Sequence, residues 1–400
     1  MEKIANRILN LSESETLAMS QMSRELASRG HDVINLSVGE PDFDTPKFIK
    51  DAAVKALEEN YTHYTPVNGF GELRQAIVRK LKRDNQAEFS ENQIVVSTGA
   101  KHALANAILS LINPGDEVLV PTPYWVSYRE LIKLAGGKPV FIPATVEHDF
   151  KISAQQLEQA ISPKTRLFMI NSPCNPTGSV YNKNELAGLA QVLEKYPKIS
   201  IISDEIYEHI IFEGEHISFA AFDALKDRTL IVNGVSKGFA MTGWRIGFIA
   251  GPKPIIAACN KLQGQMTSGT NSIAQRASIV AFDTDPQEIG ELREMKKAFH
   301  QRRDMLSELL GTIPGLKANV PRGAFYVFPD VSYYFGKSYD NGTVENAKDL
   351  CMYLLDRAHV AMVPGEAFGA PNCLRISYAT SSERIREAVQ RMQAALEKLT

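Results

Sequence analysis

Between Pro46 and Gln265 the chain alternates short apolar runs with helix-length amphipathic segments, and few architectures accept that order. The pattern predicts helices over 46–59, 70–84, 100–112, 124–135, 183–195 and 253–265. Between them it predicts seven strands, over 93–97, 116–120, 138–142, 166–170, 199–203, 229–232 and 246–250. Strands that alternate with helices build an α/β fold in which a mostly parallel seven-stranded sheet is sandwiched by helices. Pro46 suits the first position of its helix. Past Asp285-Pro286 the rhythm changes. A charged amphipathic segment runs to about Leu310, followed by strands 324–328, 359–363 and 373–378 and helices 343–357 and 382–398. A Thr380-x-x-Glu383 pair reads as the capping box of the last helix. Near the start, helix 14–29 ends before Gly30 and leads to strand 33–36. The expected division is an N-terminal segment 1–13, a large domain 46–287, and a smaller α/β domain made of 14–45 plus 288–400.

Net charge is 44 − 46 = −2, with 44% apolar and 22% charged residues, the balance of a globular chain with no general field for nucleic acid or an anionic membrane. No apolar run approaches the roughly 20 residues that span a bilayer. The opening MEKIANRILNLSESE lacks the apolar core of a secretory signal, so a cytoplasmic location is expected. Cysteines 174, 259, 351 and 373 form no CxxC pair, which suits neither a disulfide scaffold nor a zinc ribbon. Glu205, His209 and His216 make no complete ligand set, and no metal is expected. The Glu291–Arg303 run mixes both signs and reads as a solvated helix face.

Doubly wound sheets carry their chemistry just beyond the carboxyl ends of the strands. Here those positions are densely polar. Strand RLFMI runs into Asn171-Ser-Pro-Cys-Asn-Pro-Thr-Gly178, SIIS into Asp204-Glu-Ile-Tyr207, and TLIVNG into Ser236-Lys237, while ILRIS carries Arg375. A lysine at the end of an apolar strand is partly desolvated, which lowers its pKa and frees its amine to attack a carbonyl. Lys237 is therefore a candidate Schiff-base lysine. Asp204 has two readings, a helix-capping aspartate and the carboxylate that keeps a heterocyclic nitrogen protonated.

Taken together, NSPCNPTG (171–178), SDEIYEH (203–209) and SKGFAMTGWRIG (236–247) resemble the fold-type I, class I aminotransferases that depend on pyridoxal phosphate. GEPDFDTP (39–46), PYWVSY (123–128), GAFYV (323–327) and LRISYAT (374–380) extend the likeness over nearly the whole chain, with the bacterial aspartate aminotransferase branch as the nearest pattern. The resemblance implies that Lys237 holds the cofactor covalently and then moves the substrate α-proton, and that Asp204 pairs with the pyridinium nitrogen. Asn175 and Tyr207 would bond the phenolic oxygen. Trp125 would stack on one ring face, with Ile206 on the other. The phosphate would rest on Gly99 and Ala100 at a helix start, on Ser236 and on Arg245. Tyr64 matches a residue whose hydroxyl reaches the neighbouring subunit's phosphate, which implies a homodimer with shared sites.

The same resemblance assigns Arg375 to the substrate α-carboxylate, with the Gly39 N–H assisting, and Lys101 to the second carboxylate of aspartate, aided by Ser14 and Thr16. Where relatives often have Lys-Pro this chain has Ser12-Glu13, a loss that counts against the prephenate transamination of some of them. Glu13 and Glu15 are acidic neighbours of the expected pocket. The implied reaction moves the amino group of L-aspartate to 2-oxoglutarate by a ping-pong cycle. Alternatives are an aminotransferase for aromatic amino acids or alanine, a β-lyase or synthase of the same fold, and a non-catalytic effector-binding regulator. Intact Lys237 and Asp204 argue against the last.

Overall fold

The computed structural model describes residues 3–340 and 342–400. Its main sheet has seven strands: β2 (Ile94–Thr98), β3 (Glu117–Thr122), β4 (Lys138–Pro143), β5 (Thr165–Asn171), β6 (Ser200–Asp204), β7 (Thr229–Gly234) and β8 (Ile246–Ala250), preceded in the chain by the short β1 (Ile34–Asn35). Their spatial order is β2-β8-β7-β6-β5-β3-β4. All neighbours pair in parallel except β8, which is antiparallel to both β7 and β2. The inner strands are buried on both faces, as their continuous Val/Ile/Leu runs require. The edge strand β4 carries Lys138, Pro139 and Pro143, residues that resist further pairing.

Helices cover both faces. They are α1 (Asn6–Leu9), α2 (Glu15–Ser28), α3 (Lys47–Glu58), α4 (Gly71–Asn85), α5 (Ala100–Leu111), α6 (Ser127–Leu134), α7 (Ala154–Ala160), α8 (Lys183–Glu194), α9 (Lys253–Met266) and α10 (Ser272–Asp283). One cluster under α5 and α9 gathers Leu104, Ile108, Val118, Val120, Ile132 and Ile256; another under α7 and α8 gathers Leu119, Leu157, Phe168, Leu189 and Ile201. No helix among the described residues is long and apolar enough to cross a membrane.

The 22-residue α11 (Gly290–Gly311) leads into a second region. There β9 (Tyr326–Val327), β13 (Val363–Pro364) and β14 (Leu374–Ser377) form a three-stranded sheet, with β10 (Ser338–Tyr339) and β11 (Gly342–Thr343) as a separate hairpin. The strand expected at 359–363 is broken. Its first half, β12 (Val360–Ala361), pairs with β1, and its second half, β13, pairs with β14. Helices α12 (Ala347–Ala358) and α13 (Ser382–Leu396) complete this part.

Two capping expectations change. Pro46 is the cap of α3 rather than its first turn: its ψ of 143° is extended while its carbonyl accepts from Ile49 N. For α13 the cap is Ser381, whose Oγ accepts from Arg384 N at 3.3 Å, so the helix begins one residue later than a Thr380 box demands.

Candidate active site

The carboxyl ends of β5, β6 and β7 lie along one edge of the sheet. Since β8 runs against them, Arg245 just before it reaches the same edge, and so does Gly99 after β2. A cavity of about 300 Å³ opens there. Of the residues assigned from sequence, all but Gly99 and Tyr64 line it, and Ile206 does too. Gly99 lies directly behind the wall. At its φ of +82° a Cβ would fall 2.3 Å from Arg245 Nη2, so glycine is what lets the guanidinium lie against the start of α5. Tyr64 is fully exposed and lies outside the cavity.

The Lys237 amine is half-buried and donates to the Gly39 carbonyl at 2.5 Å. Burial lowers its pKa to about 8, against the opposing charge of Glu40. Asp204, at the end of β6, is buried; its Oδ2 accepts from the Tyr128 hydroxyl at 2.6 Å and its Oδ1 from Ile206 N at 3.3 Å. Burial raises this carboxyl to about 6, and the Tyr128 hydrogen bond works the other way. Asn171, paired with Asp204 across the strands, donates to the Asp204 carbonyl at 2.9 Å and accepts from Asn175 N at 2.9 Å, which fixes the loop that carries Asn175.

Arg375 on β14 is 2% exposed. It donates to Asn175 Oδ1 at 3.0 Å and to Ser37 O at 2.6 Å, and its carbon Cζ lies 4.6 Å from the centre of the Tyr326 ring. Its Nε has no partner, an unmet buried donor on a cation that lines the cavity. Lys101 sits 5.0 Å from the Trp125 ring centre, its pKa lowered by burial and then by the charge of Arg245. Ser14 and Thr16 line the cavity beside it, whereas Glu15 turns away to pair with Lys348 at 3.2 Å.

Tyr326 was not singled out by sequence although it lies inside GAFYV. Its hydroxyl is 2.9 Å from that of Tyr207, and a Cβ on Gly39 would stop 3.0 Å from it. Thr242, another lining residue, accepts Arg245 Nη1 on its carbonyl at 2.8 Å and donates from its hydroxyl to Glu40 at 2.8 Å. Cys174 is no reactive thiol, because burial raises its pKa to about 11.

Glu205 and His216 do come together, with Glu208 rather than His209 as the third member, their ligand-type atoms within 4.8 Å of one another. The carboxylates are already engaged. Glu205 accepts from Ser203, Ser218, Asn85 and His216, and Glu208 from Asn85, Asn233 and the buried Lys80 ammonium. A cation in place serves these charges without a metal.

Comparison with known proteins agrees with this geometry. Residues 31–392 match the family model described as aminotransferase class I and II. The aspartate aminotransferase of Bacillus subtilis (strain 168) is 45% identical over 398 residues, covering 99% of each chain. A Petunia hybrida protein named bifunctional aspartate aminotransferase and glutamate/aspartate-prephenate aminotransferase is 47% identical over 98% of this chain and 82% of its own. Among solved structures, the aspartate aminotransferase from Rhizobium meliloti superposes with a TM-score of 0.95 at 42% identity over the whole of both chains. That from Thermus thermophilus with maleate reaches 0.92 at 39% identity, over 99% of this chain and 100% of its own. A family model that spans most of the length, with relatives this similar from end to end, places the chain in the class I and II aminotransferases.

Proposed function

We propose that the protein is a pyridoxal-phosphate-dependent aspartate aminotransferase that passes the amino group of L-aspartate to 2-oxoglutarate. The observation that carries this reading is one cavity in which Lys237 and Asp204 share walls with three further cations, Lys101, Arg245 and Arg375. Three anionic groups need places there: a phosphate and the two carboxylates of the substrate. The residues fit the cofactor. Gly99 leaves room for the Arg245 guanidinium at a helix start, where amides and charge suit a phosphate, and the buried Asp204 suits a protonated ring nitrogen.

When bound, pyridoxal phosphate supplies an electron sink for the charge left on the substrate α-carbon. The chain does the rest. Lys237 would hold the cofactor through Nζ, and the same amine is the base that would take the substrate α-proton and hand it back. Its lowered pKa keeps a fraction of the amine neutral near physiological pH. Ser236 and Arg245 would hold the phosphate, Asn175 and Tyr207 would hold the phenolic oxygen, and Trp125 and Ile206 would flank the ring. Arg375 fixes the α-carboxylate, helped by the Gly39 N–H, and so aims the α-hydrogen at Lys237. Lys101, with Ser14 and Thr16, meets the side-chain carboxylate. The Thermus relative's maleate, also a four-carbon dicarboxylate, supports that pocket reading.

The same reading implies a large domain of 46–287 and a small one of 14–45 plus 288–400, and a homodimer in which Tyr64 serves the neighbouring site. Four free thiols suit a cytoplasmic setting. Lys101 gives the test of substrate class. In Lys101→Ala, kcat/KM for aspartate is expected to fall by about 30- to 160-fold, the value of about 2–3 kcal/mol for one charge-assisted contact, while that for alanine stays within about threefold. Equal losses for both donors in half-reaction kinetics would show that Lys101 does not read the side chain.

A further inference from the structure

We infer that Tyr128 is a positioning residue for Asp204, which it holds as an oriented, ionised carboxylate through a short hydrogen bond. The inference rests on the cofactor reading above, since Asp204 matters to catalysis through the ring nitrogen it would face. Tyr128 itself is 2% exposed and is not among the residues that line the main cavity. It can touch neither substrate nor cofactor there, so it acts through Asp204.

Three features support the assignment. The first is geometric. Tyr128 Oη lies 2.6 Å from Asp204 Oδ2, within the range of a strong O–H···O⁻ bond, while Oδ1 is met by Ile206 N at 3.3 Å. With one donor on each oxygen, rotation of the carboxylate is pinned. The second is chemical. Burial, followed by the charge of Asp204, pushes the Tyr128 phenol well above its usual pKa, so it stays protonated and donates at every working pH. The third is mechanical. The Tyr128 ring meets the Trp125 indole edge-on, with centroids 5.6 Å apart and planes at 86°; Tyr128 lies in the first turn of α6 and Trp125 just before its cap. One short segment therefore sets both the expected ring-stacking face and the carboxylate at the ring's far end.

The need for such a donor follows from the surroundings of Asp204. The charges that face it are Lys237, which favours the ionised form, and Glu205, which opposes it; Cys174 and Tyr207 are neutral. The nearest chain neighbour is thus a like charge, and burial already favours the protonated acid. A protonated Asp204 could not pair with a pyridinium. Tyr128 supplies the larger of the two hydrogen bonds that work against those effects and keep the carboxyl from rising further than about 6.

The test is Tyr128→Phe, which keeps the ring against Trp125 and removes one oxygen. In cofactor-free protein labelled with carboxyl-13C aspartate, the Asp204 midpoint should rise by about 1–2 units, the size expected for losing a hydrogen bond to a charged group. Affinity for pyridoxal phosphate should fall by about tenfold. In the loaded enzyme kcat should drop by about 10- to 100-fold, with the KM for aspartate changed less than about threefold. A variant with 3-fluorotyrosine in place of Tyr128, the same shape with a more acidic phenol, should move the midpoint the opposite way and keep kcat near wild type. It also answers the case in which Tyr128→Phe fails to fold. An unchanged Asp204 midpoint and unchanged cofactor affinity in both variants would overturn the inference while leaving the aminotransferase reading intact. Wild-type protein that binds no pyridoxal phosphate would instead overturn the reading on which it rests.

Discussion

Lys237→Ala is expected to lower kcat for aspartate transamination by more than about four orders of magnitude, because on the proposed reading one substitution removes both the covalent anchor and the proton carrier. Nothing else among the described residues is placed to replace it. Lys101 lies against Trp125, and Arg245 and Arg375 are guanidinium groups that do not give up a proton. The wild-type amine should also leave a pH signature. With a pKa of about 8 in the cofactor-free site, roughly a quarter of Lys237 is neutral at about pH 7.5. The rate of cofactor capture should accordingly climb as pH rises through 8 and level off above it. The sign is that of a base whose charged form is disfavoured by burial: proton loss generates the nucleophile. A capture rate that instead rises only near pH 10 would mean that the site does not depress this lysine, and retained turnover in Lys237→Ala would remove it from the chemistry.

The second large effect is on stability. Lys80→Met should destabilise the fold by about 3–5 kcal/mol, the cost of leaving a buried carboxylate without its cation. Lys80 is 1% exposed and its ammonium contacts Glu208, which is otherwise met by Asn85 and Asn233. Burial pushes Glu208 up, but Lys80 and the neighbouring imidazoles bring it down to about 2 net. A carboxyl depressed in the folded state contributes stability that is complete above its unfolded pKa near 4.5 and is lost as pH falls toward 2. The penalty of Lys80→Met should therefore be largest above about pH 5 and shrink on acidification, and the double variant Lys80→Met/Glu208→Gln should recover much of it. Urea unfolding at several pH values reads both. A loss under about 1 kcal/mol would mean that solvent reaches the pair. Because Glu205 follows Asp204 directly and shares Asn85 with Glu208, this network also ties α4 to the strand end that carries Asp204.

What was legible in the sequence follows physical lines. Polar residues that end apolar strands stand out against their surroundings, and Asp204, Asn175, Ser236, Lys237 and Arg375 do reach one cavity. The seven strands were visible because Val/Ile/Leu runs bounded by turns have few other uses. Tyr128 and Tyr326 were not assigned, since an aromatic inside an apolar stretch reads as packing until its hydroxyl partner is known; those partners lie 76 and 119 residues away in the chain. Helix α10 was missed for another reason. Ala274, Gln275, Ala277, Ser278, Ala281 and Phe282 are all buried, so small residues replace the one-sided apolar stripe that marks a surface helix. The 359–363 segment looked like one strand, but its two halves serve different sheets, a switch that only tertiary pairing reveals.

The most direct measurement is a single half-reaction. Purified protein loaded with pyridoxal phosphate is mixed with L-aspartate and no oxo acid, and the cofactor's absorbance and the released 2-oxo acid are followed together. The account predicts stoichiometric conversion of the cofactor to its amine form with one oxaloacetate per site, fully reversed by adding 2-oxoglutarate and absent in Lys237→Ala. A cofactor that stays in its aldehyde-derived form with aspartate, yet converts readily with alanine or an aromatic amino acid, would contradict the assignment of this cavity to a dicarboxylate donor.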